Sequence, residues 1–91
     1  MTYLYNPKKR TANLKKHGLD FNDASTVIES GHTVTFEDRR FDYGEERFIT
    51  LGLLNDDVVV IVTSETQDEI QIISMRKATR HEQTIFYNQL A

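Results

Sequence analysis

The run Val58-Val59-Val60-Ile61-Val62 constrains this chain more than any other segment. β-Branched side chains are stiff at χ1 and pack well on a pleated surface, so an unbroken run of them suits a central strand. Asn55-Asp56-Asp57, just before it, reads as a hairpin connection to an antiparallel partner. Arg47 to Leu54 is that partner, with Phe48, Thr50 and Gly52 alternating against Ile49, Leu51 and Leu53. Thr33-Val34-Thr35-Phe36 also alternates, Asp42-Tyr43-Gly44 marks a turn, and Glu69 to Met75 reads as a further strand. The expected sheet is a meander of about four antiparallel strands.

Helical signals flank these strands. Thr2 to Tyr5 has the aromatic content of a short strand and stops at Asn6-Pro7. Pro7 suits a first helical turn with Asn6 as N-cap, and the helix runs to about His17 before Gly18 in the left-handed C′ position. Asp20 or Asn22 can cap a second helix to about Glu29, with Phe21, Ala24, Val27 and Ile28 at helical spacing. Near the C-terminus, Thr79-Arg80-His81-Glu82 matches a capping box, followed by an apolar stripe of Ile85, Phe86 and Leu90. The fold class expected is α+β: two N-terminal helices, the sheet, and a C-terminal helix. At 91 residues the chain is expected to form one domain, 1–91.

Composition narrows the function classes. A hydrophobic content of 38% beside 27% charged residues is that of a soluble globular protein. Without cysteine, a disulfide framework, a thiolate zinc site and a cysteine nucleophile are excluded. No apolar segment follows the N-terminal basic residues, and Val58–Val62 is far below the ~18 residues that suggest a membrane helix. A cytoplasmic location is therefore expected, with no membrane partner. The net charge is −3, but residues 1–17 carry Lys8, Lys9, Arg10, Lys15 and Lys16 with no acid. That segment could attract a polyanion or an acidic partner, or it could be a solvated helix face.

Several residues could carry chemistry. Arg76, Lys77 and Arg80 would cluster at a helix N-terminus, where guanidinium forks and free amides suit a phosphate. Glu45-Glu46-Arg47 puts two carboxylates beside an arginine at a strand start. One could act as a general base on a ribose hydroxyl, or it could form a structural ion pair. His17, His32 and His81 have no metal-ligand spacing, so no metal is expected. His81 lies in the first turn of the basic helix and could exchange a proton or simply face solvent. Tyr87 could place a phenol for stacking or proton transfer, or sit at the core edge.

Four stretches, in order, resemble the BrnT toxin family over nearly the whole chain. They are Tyr3-Leu4-Tyr5-Asn6-Pro7, and Asn13 to Phe21, which matches N-x-x-K-H-G-x-x-F. Tyr43-Gly44-Glu45-Glu46-Arg47-Phe48 through Gly52 follows, then Ile72-Ile73-Ser74-Met75-Arg76-Lys77-Ala78 continuing to Glu82 and Tyr87. The resemblance implies a RelE-like fold and a metal-independent, cofactor-free endoribonuclease acting on RNA. It also implies a BrnA-like antitoxin partner, with operator DNA bound only by the toxin–antitoxin complex. On that reading Arg47, Arg76 and Arg80 bind phosphate, Lys77 assists, and Glu46, His81 or Tyr87 handles protons. Lys15 and Lys16 join the RNA-binding set. Thr66 and Gln71 stand where arginines are frequent in the family, and Leu4 and Asn6 where acids open it. The alternative is therefore a catalytically weak or inactive homologue that binds its antitoxin and regulates its operon.

Overall fold

The valine-rich run occupies the middle of the sheet, as its composition requires. The computed structural model describes residues 1–40, 42 and 44–90. The elements in chain order are β1 (Thr2–Leu4), α1 (Pro7–His17), a 3-10 turn (Phe21–Asp23) and α2 (Ala24–Ile28). There follow β2 (Val34–Glu37), β3 (Arg47–Leu54), β4 (Asp57–Glu65), β5 (Glu69–Lys77) and α3 (Arg80–Leu90). The sheet order is β1-β5-β4-β3-β2. Among the described residues, no helix is long and apolar enough to cross a membrane.

The sheet corrects one expectation. It has five strands rather than about four, and β1 runs parallel to β5, with Thr2 beside Glu69 and Leu4 beside Gln71. Alternation predicts that a short segment is extended, but not which distant strand it joins or in which direction. The second helix is also shorter than its spacing suggested. Asp20 caps a 3-10 turn through the Asn22 amide at 2.9 Å, and only Ala24–Ile28 becomes α-helix.

Local signals elsewhere fold as read. The Asn6 side chain accepts hydrogen bonds from the Lys8 and Lys9 amides, and Gly18 closes α1 at φ 71°. The β3–β4 hairpin pairs Leu54 with Asp57, leaving Asn55 and Asp56 as a two-residue loop. Both loop residues have positive φ, 51° and 71°, as a type I′ turn requires. Of the turn expected at Asp42-Tyr43-Gly44, Tyr43 lies outside the described residues; Gly44 has φ 68° and donates its amide to Asp42 Oδ1.

β4 is dry on both faces. Val59 and Ile61 join Phe21, Ala24, Val27, Ile70, Ile72 and Met75 in one core, on the side of α1 and α2. Val58 and Val60 join Leu51 and Phe86 beneath α3. Gly52 lets α2 approach β3, because a Cβ there would run into the buried Val27 side chain. α1 lies along the outer edge of β5 beyond the reach of β1. The buried Asn13 accepts from the Met75 amide at 3.2 Å and donates to the Leu19 carbonyl at 3.1 Å. One side chain thus satisfies a strand edge that no neighbouring strand pairs and the loop after α1.

α3 is fastened at its start by Glu82. The capping box forms, with the Thr79 amide 2.8 Å from Glu82 Oε1 and the Glu82 amide 3.2 Å from Thr79 Oγ1. The same carboxylate accepts both terminal nitrogens of Arg76 on β5, at 2.7 and 2.8 Å. Arg76 and the Thr79 amide together hold the Glu82 carboxyl down to about 2.

Three consequences are open to measurement. Asn13→Ala strands a buried amide and a carbonyl, and thermal or chemical unfolding should show a loss of roughly 1–3 kcal/mol. Gly52→Ala should cost about 1–3 kcal/mol by the same assay, through crowding of Val27, and Val27→Ala should restore part of it. The depressed Glu82 carboxyl contributes stability present above its ordinary value of 4.5 and lost as pH falls toward 2. Glu82→Gln keeps the capping box but removes that contribution. It should lower stability at neutral pH by roughly 1–2 kcal/mol, a figure reduced for partial exposure, and flatten acid unfolding between those pH values. Asp20, held near 2 by Arg10 and the Asn22 amide, keeps some slope in the same window.

Candidate active site

α3 covers only part of its face of the sheet, packing Phe86 and Ile85 over Leu51, Val58 and Val60. Strand register shows what lies beyond it. Phe36, Ile49, Val62 and Ser74 align in one row across β2 to β5, and Arg47, Ser64 and Gln71 in the next. Arg76 is level with Val60, at the boundary between the covered and open parts.

A β-bulge sets this arrangement. Val62 pairs with Ser74 but Thr63 pairs with Ile72, so Ile73 is the extra residue on β5. Before it, Ile70 and Ile72 enter the core beneath α1 and α2; after it, Met75 does. Ser74 and Arg76 are thereby turned to the opposite face, the one that carries α3. Without the bulge, Arg76 would share a face with Ile72 and point into the core.

Three guanidinium groups belong to this region. Arg76 is locked to Glu82, and its own protonated form is favoured first by that hydrogen bond, with burial and the charge of Arg40 opposing. Arg40 forks onto Asp38, both contacts at 2.9 Å, and the Asp38 side chain is only 1% exposed. Arg47 places Nε 3.0 Å from Glu45 Oε1 at the start of β3. Planar guanidinium groups held by carboxylates keep their orientation and can offer remaining N–H donors to an anion.

The other expected site residues are dispersed. Glu46 is exposed, and its carbonyl accepts the Glu65 amide at 3.1 Å. Lys77 does not join Arg76 and Arg80 in one cluster. It turns toward the β3–β4 hairpin, with Nζ 3.5 Å from an Asp57 oxygen. Tyr87 lies beside it, in a hollow of about 120 Å³ lined also by Asp56, Val58 and Gln83. Arg80 and His81 are exposed in the first turn of α3 and make no ion pair with the described residues. Lys15 and Lys16 lie on α1, and Lys16 borders an open groove against Ile73 and Ser74 of β5.

Residue-type reasoning passed over Asp38 and Arg40, which fall in a stretch without periodicity. It also read Glu82 only as a helix cap. A carboxylate six positions after Arg76, across a strand–helix junction, was the available signal for the clamp. Among the described residues, no group of three His, Cys, Asp or Glu side chains is arranged to hold a metal ion.

A family described as the ribonuclease toxin, BrnT, of type II toxin-antitoxin systems matches residues 5–82. None of the curated protein sequences compared with the chain matches it. The family match takes in α1, strands β2 to β5 and the Arg76–Glu82 clamp. The chain belongs to the BrnT family of ribonuclease toxins of type II toxin–antitoxin systems.

Proposed function

We propose that this chain is a metal-independent endoribonuclease, RelE-like in layout and cytoplasmic, which a BrnA-like antitoxin neutralises. Operator DNA would be bound only by the toxin–antitoxin complex. The observation that supports the reading most is the set of guanidinium groups of Arg40, Arg47 and Arg76 around the part of the sheet that α3 leaves uncovered.

Cleavage in this reading needs no cofactor. The ribose 2′-hydroxyl oxygen attacks the adjacent phosphorus, the bond from phosphorus to the 5′-oxygen breaks, and a cyclic phosphate remains on the upstream fragment. A base takes the hydroxyl proton and an acid returns one to the departing oxygen. Arg47 and Arg76 stabilise charge on the phosphate, with Arg40 adding to the local field. Glu46 and His81, both solvent-facing near these arginines in sequence, are the proton carriers proposed first. Tyr87 and Lys77, beside the hairpin hollow, would act on a neighbouring part of the RNA, and Arg80 at the mouth of α3 on its backbone.

A second reading keeps antitoxin binding and dispenses with catalysis. It is favoured by Thr66 and Gln71, which carry no charge where family arginines are frequent, and by the neutralisation of Arg76 in the clamp.

Purified protein freed of its antitoxin should cut RNA in the presence of EDTA. Arg76→Ala should lower the single-turnover rate by about 100- to 1,000-fold, the usual effect of losing one donor to transition-state charge. A folded wild type that leaves RNA intact while still binding its antitoxin would establish the second reading.

A further inference from the structure

We infer that the groove between α1 and the outer half of β5 is a binding track for the phosphate backbone of single-stranded RNA, leading to Arg76. This rests on the ribonuclease reading and extends it to a substrate-positioning surface away from the scissile bond.

The groove exists because β1 covers only Glu69, Ile70 and Gln71 on the outer edge of β5. Farther along that edge, α1 stands off the strand, tied by the bond from Asn13 to the Met75 amide. The space between is an open hollow of about 240 Å³, bordered by Lys9, Lys16 and His17 on the helix and by Ile73 and Ser74 on the strand. Lys9 and Lys16 are seven residues apart, which returns a side chain to the same side of a helix after two turns.

Charge and register then point to a polyanion. Residues 1–17 contain no acid, and Asp20, the carboxylate that pairs with α1 among the described residues, is taken by Arg10 through two hydrogen bonds at 2.8 and 2.7 Å. Lys9 and Lys16 border the groove and make no ion pair with the described residues. The bulge at Ile73 puts Ser74 on the face that carries Arg76, two residues farther along β5. A strand advances ~3.3 Å per residue, so the backbone positions of Ser74 and Arg76 are about 7 Å apart. The strand wall of the groove thus continues along β5 toward the clamp.

A protein segment is the less suitable occupant. Protein interfaces are anchored by buried aromatic or large apolar side chains. This groove offers only the half-buried Ile73 and the small Ala12 beside its cations.

The test uses the full chain freed of antitoxin and a labelled 2′-O-methyl oligoribonucleotide of about twelve nucleotides, which lacks the attacking hydroxyl and cannot be cut. Lys9→Gln/Lys16→Gln alters two exposed helix positions, and an unchanged melting temperature verifies folding. The double variant should bind the probe about tenfold more weakly at low salt, and its slope of log affinity against log salt should be shallower by about 1.4. With cleavable RNA of that length the KM of the double variant should rise. Equal probe affinity and equal salt slope for wild type and variant would overturn the proposal. So would a variant that binds RNA normally but loses affinity for the antitoxin, which would make the groove a protein-docking site. A wild type that binds the probe through Lys9 and Lys16 yet cuts nothing supports the track and rejects the ribonuclease reading.

Discussion

Two-sided burial of β4 is the constraint on which the rest of the structure depends. A strand alternates its side chains, so Val59 and Ile61 require apolar cover on one face while Val58 and Val60 require it on the other. Burying each such side chain is worth about 1.5–3 kcal/mol, and no other strand supplies so many fully buried β-branched groups. The chain must therefore build three layers from 91 residues. It does so with economical parts. α2 has five residues, too few to be stable alone, and exists because Ala24 and Val27 are buried against the sheet. Gly52 permits that contact by giving up its own side chain volume.

Next to β4, in β5, the demands of the core and of the candidate site conflict. The core beneath α1 and α2 takes Ile70, Ile72 and Met75, which do not share one alternation. A single bulged residue, Ile73, resolves the mismatch and turns Ser74 and Arg76 out of the core. The same irregularity gives the groove beside α1 its strand wall. A structural accommodation and the strand wall of the proposed RNA track are one feature here.

What was legible in the sequence was whatever short-range chemistry decides. The Asn6 and Gly18 caps, the Thr79–Glu82 capping box, the Asn55-Asp56 turn and the central position of Val58–Val62 all follow from residues within a few positions of one another. The parallel pairing of β1 with β5 was not legible, because its partner lies over sixty residues away and direction leaves no periodic trace. The doublet Ile72-Ile73 was the visible sign of the bulge, yet an apolar doublet alone does not say which residue is extruded. Site residues suffered most. Adjacent Arg76 and Lys77 looked like one cluster, but consecutive strand residues diverge, and Lys77 ends beside Asp57. The Asp38–Arg40 fork depends on a buried carboxylate in an aperiodic loop, and nothing local announces that burial.

The clamp between Arg76 and Glu82 bears on how a phosphate could be held at all. At first sight a carboxylate on the key arginine would exclude an RNA phosphate. A guanidinium, however, has five N–H donors in a rigid fork. Glu82 takes one hydrogen from each terminal nitrogen, end-on, and Nη1 also lies 3.4 Å from the Lys77 carbonyl oxygen. Nε–H and the second Nη2 hydrogen form a separate, side-on fork that no described residue occupies. Glu82 can thus orient Arg76 and leave it able to grip a phosphate with two parallel donors. The cost is electrostatic: a paired arginine attracts an anion less than a lone one. Attraction must then come from cations without close acidic partners, and Lys9 and Lys16 on α1 are the ones that open onto the same strand. On the proposed reading, orientation by Glu82 and attraction by the helix become separate duties, which is how a chain of net charge −3 would still present a local surface for a polyanion.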